Sequence, residues 1–196
     1  FGVVQPNIQK LEGQTGRIMV EMPGIKEPER MRKLLQGSAN LEFWETYNAE
    51  EVIPYLQQLD SRLANDASNV GYASVRDTAA IDKLIYGQTA KQVLPSDIKL
   101  LWSATPEDGI KAKNIFGLYA IKVTSNNGQA PLQGDVVVDA KDEFNHVTGQ
   151  PEVNMTMNTE GARRWAALTK ANVGKAIAIV LDDAVYSAPR VNGEID

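Results

Sequence analysis

The sequence contains no cysteine and a single histidine among its 196 residues. Without cysteine there can be no thiolate zinc site, iron–sulfur ligand, cysteine nucleophile or disulfide. No run of about 18 apolar residues occurs, so we predict neither a membrane-spanning helix nor a signal peptide. The chain also lacks an excess of basic residues, because its net charge is −5. We therefore expect no nucleic-acid partner, since phosphate binding needs a basic face.

The residues that are present predict an ordinary folded domain. Hydrophobic residues make up 43% of the chain and charged residues 23%, which is close to normal globular usage. A chain of this length suits one substantial domain or two small ones. Because the first residue is Phe1, we expect the chain to have been cut from a longer protein.

The first 48 residues predict a hairpin followed by a β–α–β unit. The predicted segments are strands at 3–8 and 17–22, a helix at 27–36 and a strand at 39–47. In the last strand, alternation places Leu41 and Phe43 on one face and Trp44 on the other. Trp44 must either pack on a second element or be exposed, and an exposed tryptophan would mark an interaction surface.

The middle of the chain predicts a helical segment followed by two strands. Val52, Leu56, Leu59 and Leu63 share a helical face, with Pro54 ending the first turn or beginning the main helix. A second helix is predicted from Thr78, as its cap, to Tyr86. Strands are predicted at 98–103 and 116–124, and the polar connection at 105–114 is predicted to be mobile.

The last third predicts a strand–helix–hairpin unit, in which one helix packs on a sheet. Strands are expected at 135–144 and 152–157, and a helix at 159–172. Asn158 is placed to cap this helix, and Gly174 to end it in a left-handed conformation. The final hairpin, 176–181 and 184–187, turns at Asp182 and Asp183.

Histidine chemistry has little support in the sequence. His146 stands in a polar connection without a surrounding acid or serine pattern, whereas a catalytic triad needs a base, an orienting group and a nucleophile together. We interpret His146 as a loop residue and predict neither a catalytic residue nor a zinc site. The side chain of Trp165, on the core side of the last helix, is predicted to be buried.

The acidic residues also favour structural roles. Asp182 and Asp183 could form a carboxylate pair, but aspartate tolerates turn geometry, and we interpret them as turn residues. Asp135 and Asp139 are predicted to share a solvated strand face. With Asp142 and Glu143 they do not match a calcium-loop spacing. No phosphate-binding glycine motif occurs, so no cofactor is expected, and the glycosylation sequon at Asn154 is interpreted as chance.

Two blocks of sequence are specific enough to suggest a family. The first runs FGVVQPNIQ at 1–9, RIMVEMPGI at 17–25 and ANLEF at 39–43. The second comprises GQPEV at 149–153, TMNTEGA at 156–162, GKAIAIVLD at 174–182 and SAP at 187–189. Together they resemble the SecD family, including the SecD half of fused SecDF proteins, over residues 1–48 and 130–196.

The resemblance implies an α+β fold made of a ferredoxin-like base with an inserted head. Residues 1–48 would form the first half of the base, 49–129 a variable insertion region, and 130–196 the head, with the second half of the base absent after 196. Because of that absence, we expect strands 17–22 and 39–47 to lie in one incomplete sheet with a free edge. At Asp183 the family usually has glycine, so we expect a slightly strained turn.

The resemblance also implies a non-enzymatic role in protein export. The parent protein would be embedded in the bacterial inner membrane, with this domain on the periplasmic face. Its partners would be unfolded secretory polypeptide, SecF and the SecYEG channel. Head and base would move relative to one another, with hinges near Asn48 and beyond Asp196, and couple the proton-motive force to late translocation. No substrate-binding residue can be assigned from this resemblance.

Two other classes of function stay open at this point. The domain could be a docking module for other translocase subunits or periplasmic chaperones, without touching substrate. A hydrolase using His146 or an acid pair is the third reading. Unimpaired export after replacement of His146 with alanine would exclude a hydrolase that uses His146.

Overall fold

The computed structural model describes residues 7–10, 17–21, 28–37, 40–60, 71–74, 76–107, 114–144, 146–147, 149 and 151–193. The helices are α1 (Pro28–Gly37), α2 (Ala49–Asp60), α3 (Thr78–Ile85), α4 (Gln88–Val93) and α5 (Thr159–Ala171), with a short 3₁₀ turn at Gly134–Val136. The strands are β1 (Asn7–Lys10), β2 (Arg17–Glu21), β3 (Leu41–Thr46), β4 (Tyr72–Ser74), β5 (Ile98–Trp102), β6 (Ile115–Lys122), β7 (Leu132–Gln133), β8 (Val137–Phe144), β9 (Pro151–Met157), β10 (Ile177–Leu181), β11 (Ala184–Ser187) and β12 (Arg190–Val191).

The first sheet joins the two ends of the chain. Its strand order is β12-β1-β2-β9-β8. All neighbours are antiparallel except β1 and β12, which are parallel. The register of β2 places Val20 opposite Val153, so the N-terminal hairpin pairs directly with the last third of the sequence.

The second sheet curves until its ends meet. Its main order is β11-β10-β3-β6-β4, with β5 on the other edge of β6 and β7 beside β3. A bridge between Ser103 and Val185, together with a 2.8 Å bond from the Ala104 amide to the Val185 carbonyl, brings the end of β5 against β11. We call the closed ring of β3, β6, β5, β11 and β10 the barrel.

Strand β12 links the two sheets. On one side Arg190 and Val191 pair with β1. On the other side the Val191 amide donates to the Lys175 carbonyl at 2.9 Å, and Ala176 forms a bridge with Arg190. Val191 is fully buried at this junction.

The alternation of β3 and β10 separates two apolar cores. Leu41 and Phe43 face the central core, where the Phe43 ring meets the Trp165 ring edge-on at 5.3 Å. Trp44 faces the barrel interior instead. The rest of that interior comes from neighbouring strands and the segment before β7: Leu101, Tyr119, Ile121, Val123, Ala130, Ala178, Val180 and Val185. Complete burial of one such side chain contributes roughly 1.5–3 kcal/mol.

A third apolar cluster covers the outside of the barrel. Helices α2, α3 and α4 pack there through Leu59, Ile81, Ile85 and Ala90, against Leu100 of β5. Pro54 lies inside α2, so the helix does not restart at the proline. Leu63 lies outside the described residues.

The predicted class of mixed helices and antiparallel strands is confirmed. The predicted incomplete sheet is wrong, because β2 and β3 lie in different sheets and each is paired on both sides. β2 lies between β1 and β9, whereas β3 has β10 on one edge and both β6 and β7 on the other. Strands β9 and β10, from the last third of the chain, pair with the edges of β2 and β3 that we had expected to lack a partner. The ferredoxin-like base and inserted head stay predictions.

Several predicted boundaries change for local reasons. Asp77, rather than Thr78, is the residue before α3, and its carboxylate accepts a bond from the Ser74 hydroxyl at 2.8 Å. Residues 135–136 belong to the 3₁₀ turn, so β8 begins at Val137. Strand β4 and helix α4 were not predicted. The predicted mobile connection lies in part outside the described residues, and the turn of the first hairpin lies wholly outside them.

Candidate functional site

The residues that could have supported catalysis do not converge. His146 is exposed in the turn after β8. Asp182 and Asp183 form the tip of the β10–β11 hairpin, as predicted. Nowhere in the described part of the chain do three His, Cys, Asp or Glu side chains lie where they could hold a metal ion.

The Asp182–Asp183 turn binds other parts of the fold with both carboxylates. Both residues have positive φ, 49° and 60°. Asp182 accepts a bond from the Asn40 side-chain amide at 2.6 Å, and Asp183 accepts one from Lys99 at 2.8 Å. Lys99 also lies 5.8 Å from the centre of the Trp44 ring. The turn therefore ties β10 and β11 to β3 and β5, which is a structural role.

Acidic side chains of β8 bind helix α1. Asp139 accepts a bond from Gln36 at 2.7 Å, and Asp142 pairs with Arg32 at 3.1 Å. Asp135 does not share their strand, contrary to our prediction, because it lies in the preceding 3₁₀ turn. Helix α1 thus lies against β8, and its Met31 and Leu35 side chains pack in the central core.

Asn154, the residue of the apparent glycosylation sequon, is used inside the first sheet. Its side-chain amide donates to Glu143 at 2.7 Å across β8 and β9. Its side-chain carbonyl oxygen is buried and accepts no hydrogen bond from the described residues. The side chain is therefore committed to the pairing of these two strands.

The tryptophans are structural. Trp44 is only 1% exposed, and its indole donates to Glu42 at 2.7 Å. Of the two predicted alternatives for Trp44, packing and exposure, the structure shows packing. Trp165 is buried in the central core, as predicted. Trp102 donates to Asp82 at 2.7 Å. None of the three presents an exposed indole for binding.

Two tyrosine hydroxyls are held by carboxylates around the barrel. Tyr119 donates to Glu107 at 2.8 Å, and Tyr47 donates to Asp97. Burial, reinforced by the neighbouring carboxylate, raises the pKa of each phenol far above its ordinary value. These phenols stay protonated at neutral pH and act as fixed hydrogen-bond donors.

Three of the seven large apolar side chains that are exposed among the described residues lie on β8 and the turn that follows it. Val138 is 61% exposed, Phe144 57% and Val147 94%. Exposed apolar side chains supply contact area for a partner, and a contiguous patch of them marks a contact surface. We call these three residues the β8 apolar residues. Sequence reasoning missed them because a strand pattern does not reveal which strand is outermost.

A polar groove of about 570 Å³ opens where β3 and β10 separate. One wall is formed by Thr46–Glu50, where β3 passes into α2, and the other by Gly174–Ala176 with Ala188 and Arg190. Thr46 holds the walls together by donating to the Ala176 carbonyl at 2.7 Å. Segments from three parts of the sequence meet here, so no local motif could have shown it.

Comparisons with known proteins agree with the two blocks of sequence. The family model for the N-terminal P1 domain of protein translocase subunit SecDF matches residues 1–48. The family model for the SecDF P1 head subdomain matches residues 119–196. The chain belongs to the SecD family. The resemblance inferred from the sequence is therefore confirmed.

Full-length relatives are considerably longer than this chain. Protein translocase subunit SecD of Rhodothermus marinus is 35% identical over 245 residues, an alignment that covers all of this chain and 38% of that protein. SecD of Desulfurispirillum indicum is 32% identical over 198 residues and is covered to 30%. The chain spans less than two fifths of the length of these curated relatives. Both are named as translocase subunits rather than by a catalytic activity.

A solved SecDF structure is similar in sequence but superposes loosely. It is described as a membrane component that enhances protein export. It is 26% identical, with 99% of this chain and 68% of that chain covered, and the TM-score is 0.38. In the present chain, the described residues include no helix that is long and apolar enough to cross a membrane.

Proposed function

We propose that this chain is a periplasmic, non-enzymatic domain of a SecD-type export subunit that contacts translocating polypeptide. Membership of the SecD family supports the export role. The observation that carries direct contact is the exposure of the β8 apolar residues, two on the outermost strand of the first sheet and one in the turn that follows it. A surface that meets many unfolded sequences needs apolar contact area and no defined motif.

The proposed binding is weak and reversible. The three side chains are separated along β8 and its turn rather than gathered in one pocket, so each contact is small. Helix α1 lies against the same strand through Arg32 and Gln36. We therefore favour side-chain contacts with substrate over addition of a complete strand. Weak contacts allow a polypeptide to move past the domain, as translocation requires.

We further propose that this contact works with movement of head against base. In the parent protein, SecF and the SecYEG channel would be the partners, and the proton-motive force would drive the movement. Membership of the SecD family supports this movement. The proposed hinge near Asn48 lies where β3 passes into α2.

Photo-crosslinking in the full-length parent protein tests the contact. Probes at Val138, Phe144 and Val147 would be compared with control probes at Ile53 and Tyr72, which are also exposed but lie on other elements. Trp44 is unsuitable as a probe position, because it is buried.

With an export substrate stalled midway, we expect crosslinks to substrate from the β8 positions and few from the controls. Crosslinks only to other translocase subunits, with efficient probe incorporation, would overturn direct contact and make the domain a docking module. Equal crosslinking from β8 and control positions would show that the β8 apolar residues are not the contact surface.

A further inference from the structure

The sequence contains two asparagines that are followed directly by glycine, Asn127 with Gly128 and Asn192 with Gly193. An asparagine in this position is prone to cyclise, because glycine has no Cβ to shield its amide nitrogen and allows the backbone many conformations. The reaction needs an asparagine side-chain amide that can rotate and a following backbone nitrogen that can reach it. The fold therefore decides which of the two pairs can react.

At Asn127 the turn holds both reacting groups. The Asn127 side chain donates through Nδ2 to Gln129 Oε1 at 2.9 Å, and its Oδ1 accepts the Gln129 backbone amide at 3.1 Å. The Gly128 amide donates to the Ser125 carbonyl at 3.2 Å. Cyclisation at Asn127 would have to break these three hydrogen bonds before the side-chain amide could meet the glycine nitrogen.

At Asn192 neither reacting group is held. The Asn192 side chain is exposed and forms no hydrogen bond with any residue that the structure describes. Within the same part of the chain, the Gly193 amide donates to no backbone carbonyl. The space around Gly193 is open, because a Cβ built there would have nothing within 4 Å. The pair directly follows the fully buried Val191, so the hold of the fold ends where the reactive pair begins.

We infer that Asn192 is a site of spontaneous deamidation and that Asn127, although also followed by glycine, is protected by its turn. In the first step the Gly193 backbone nitrogen bonds to Asn192 Cγ, the Cγ–Nδ2 bond breaks, and the side-chain nitrogen leaves as ammonia with the proton of the glycine amide. Water then adds to either carbonyl of the cyclic imide and opens it, which gives aspartate or isoaspartate. Water is the only co-reactant that the two steps consume.

The modification falls beside the junction of the two sheets. Both products add a negative charge directly after β12, and isoaspartate also adds one carbon atom to the main chain at that point. Strand β12 pairs with β1 on one side, and on the other its Val191 amide donates to the Lys175 carbonyl. The inference goes beyond the proposed function and does not depend on it, since it involves no contact with polypeptide.

Peptide mapping by mass spectrometry tests the inference in the full-length parent protein. The deamidated fraction at each asparagine would be followed during incubation in mildly alkaline buffer. We expect Asn192 to react on the order of tenfold or more faster than Asn127, because three hydrogen bonds oppose the reaction at Asn127. In the 196-residue chain unfolded in concentrated urea, the two asparagines should react at similar rates, because those bonds are absent.

Two variants and a matched control identify the cause of the difference. Gly193→Ala should slow the reaction at Asn192, because a Cβ crowds the attacking nitrogen, and the open space there lets the fold accept it. Gln129→Ala removes the bond from Asn127 Nδ2 and should accelerate the reaction at Asn127 by roughly two- to tenfold. The control, Gln57→Ala, changes an exposed glutamine on α2 and should leave both rates unchanged.

The possible results either support or overturn the inference. Similar rates at the two asparagines of the folded protein, or a faster reaction at Asn127, would overturn it. So would an Asn192 that stays intact in the folded protein while the unfolded chain reacts. An Asn127 rate that Gln129→Ala does not change would overturn protection by the side-chain bond. None of these results alters the expected crosslinks from the β8 apolar residues, so the proposed function is tested separately.

Discussion

Replacing Gly161 with alanine should destabilise the protein, although the same change stabilises most helices. Gly161 lies in the first turn of α5, and a Cβ built there would lie 2.5 Å from Val136 Cβ and 2.8 Å from Val136 Cγ2. The start of α5 cannot retreat easily, because the Asn158 backbone amide donates to the Val136 carbonyl at 2.9 Å. The clash must therefore be relieved by moving the 3₁₀ turn or the helix, and both border the central core.

The expected magnitude follows from two opposing effects. Alanine is favoured over glycine within a helix by about 1 kcal/mol. Overpacking of a close contact costs about 1–3 kcal/mol. We expect a cost near the upper end of this range, because Val136 Cβ is attached to the backbone and cannot move aside as the end of a flexible side chain can. We expect a net loss of about 2 kcal/mol, which corresponds to a fall in Tm of roughly 4–8 °C for a chain of this size.

Urea denaturation and thermal melting measure this effect directly. Gly193→Ala is the matched control, because nothing lies within 4 Å of a Cβ at that position, and its stability should stay within about 0.5 kcal/mol of the original chain. If Gly161→Ala proved as stable as the original chain or more so, the close packing of α5 on the 3₁₀ turn would be refuted.

Three further predictions concern the cap, the hairpin turn and the buried phenol. Asn158→Ala should lower the free energy of unfolding in urea by about 1 kcal/mol, because the Asn158 side chain accepts a hydrogen bond from the Gly161 amide at 2.8 Å. Asn158→Ser should restore most of this loss, and equal stability of all three chains would contradict the role of Asn158 as a cap. Asp183→Gly relieves a positive φ of 60° but loses the ion pair with Lys99. Because salt screens that ion pair in the original chain, the stability of the variant relative to the original chain, measured by urea denaturation, should improve from low to high salt. A stability difference that does not change with salt would exclude a contribution from the ion pair. Since burial and Glu107 raise the pKa of Tyr119, the folded state retains a proton that the unfolded chain releases above about pH 10, so stability should fall as pH rises past that value. Tyr119→Phe should make this fall shallower, and an identical pH profile for both chains would refute it.

Local patterns predicted local structure well. The cap at Asn158, the left-handed Gly174, the turn at Asp182–Asp183 and the two faces of β3 all depend on neighbours within a few residues. Pairing between distant strands was predicted poorly, because strand patterns carry little information about the partner. The assumption that β2 and β3 share a sheet failed for this reason.

The candidate surfaces were beyond the reach of sequence patterns. The segments Gly174–Ala176 and Ala188–Arg190 carry no motif in the sequence, and only the bridge between Ala176 and Arg190 brings these two walls of the groove together. The exposure of Phe144 depends on the position of β8 at the end of a sheet, which no alternation of residues predicts. Trp44 differs from Phe144 in the outcome. The alternation of β3 allowed Trp44 to be exposed, but the closure of the barrel buries it.

The pairing of β1 with β12 has a consequence for how the chain acquires its structure. Strands β1, β2 and β3 are made before β12, β9 and β10, with which they pair across long stretches of sequence. During synthesis each of these three strands must wait for its distant partner, although β1 and β2 can already pair with each other. Folds dominated by such distant pairings form slowly. Until β9, β10 and β12 have been made, β1, β2 and β3 each have one edge without its final partner, and such edges are open to unwanted pairing.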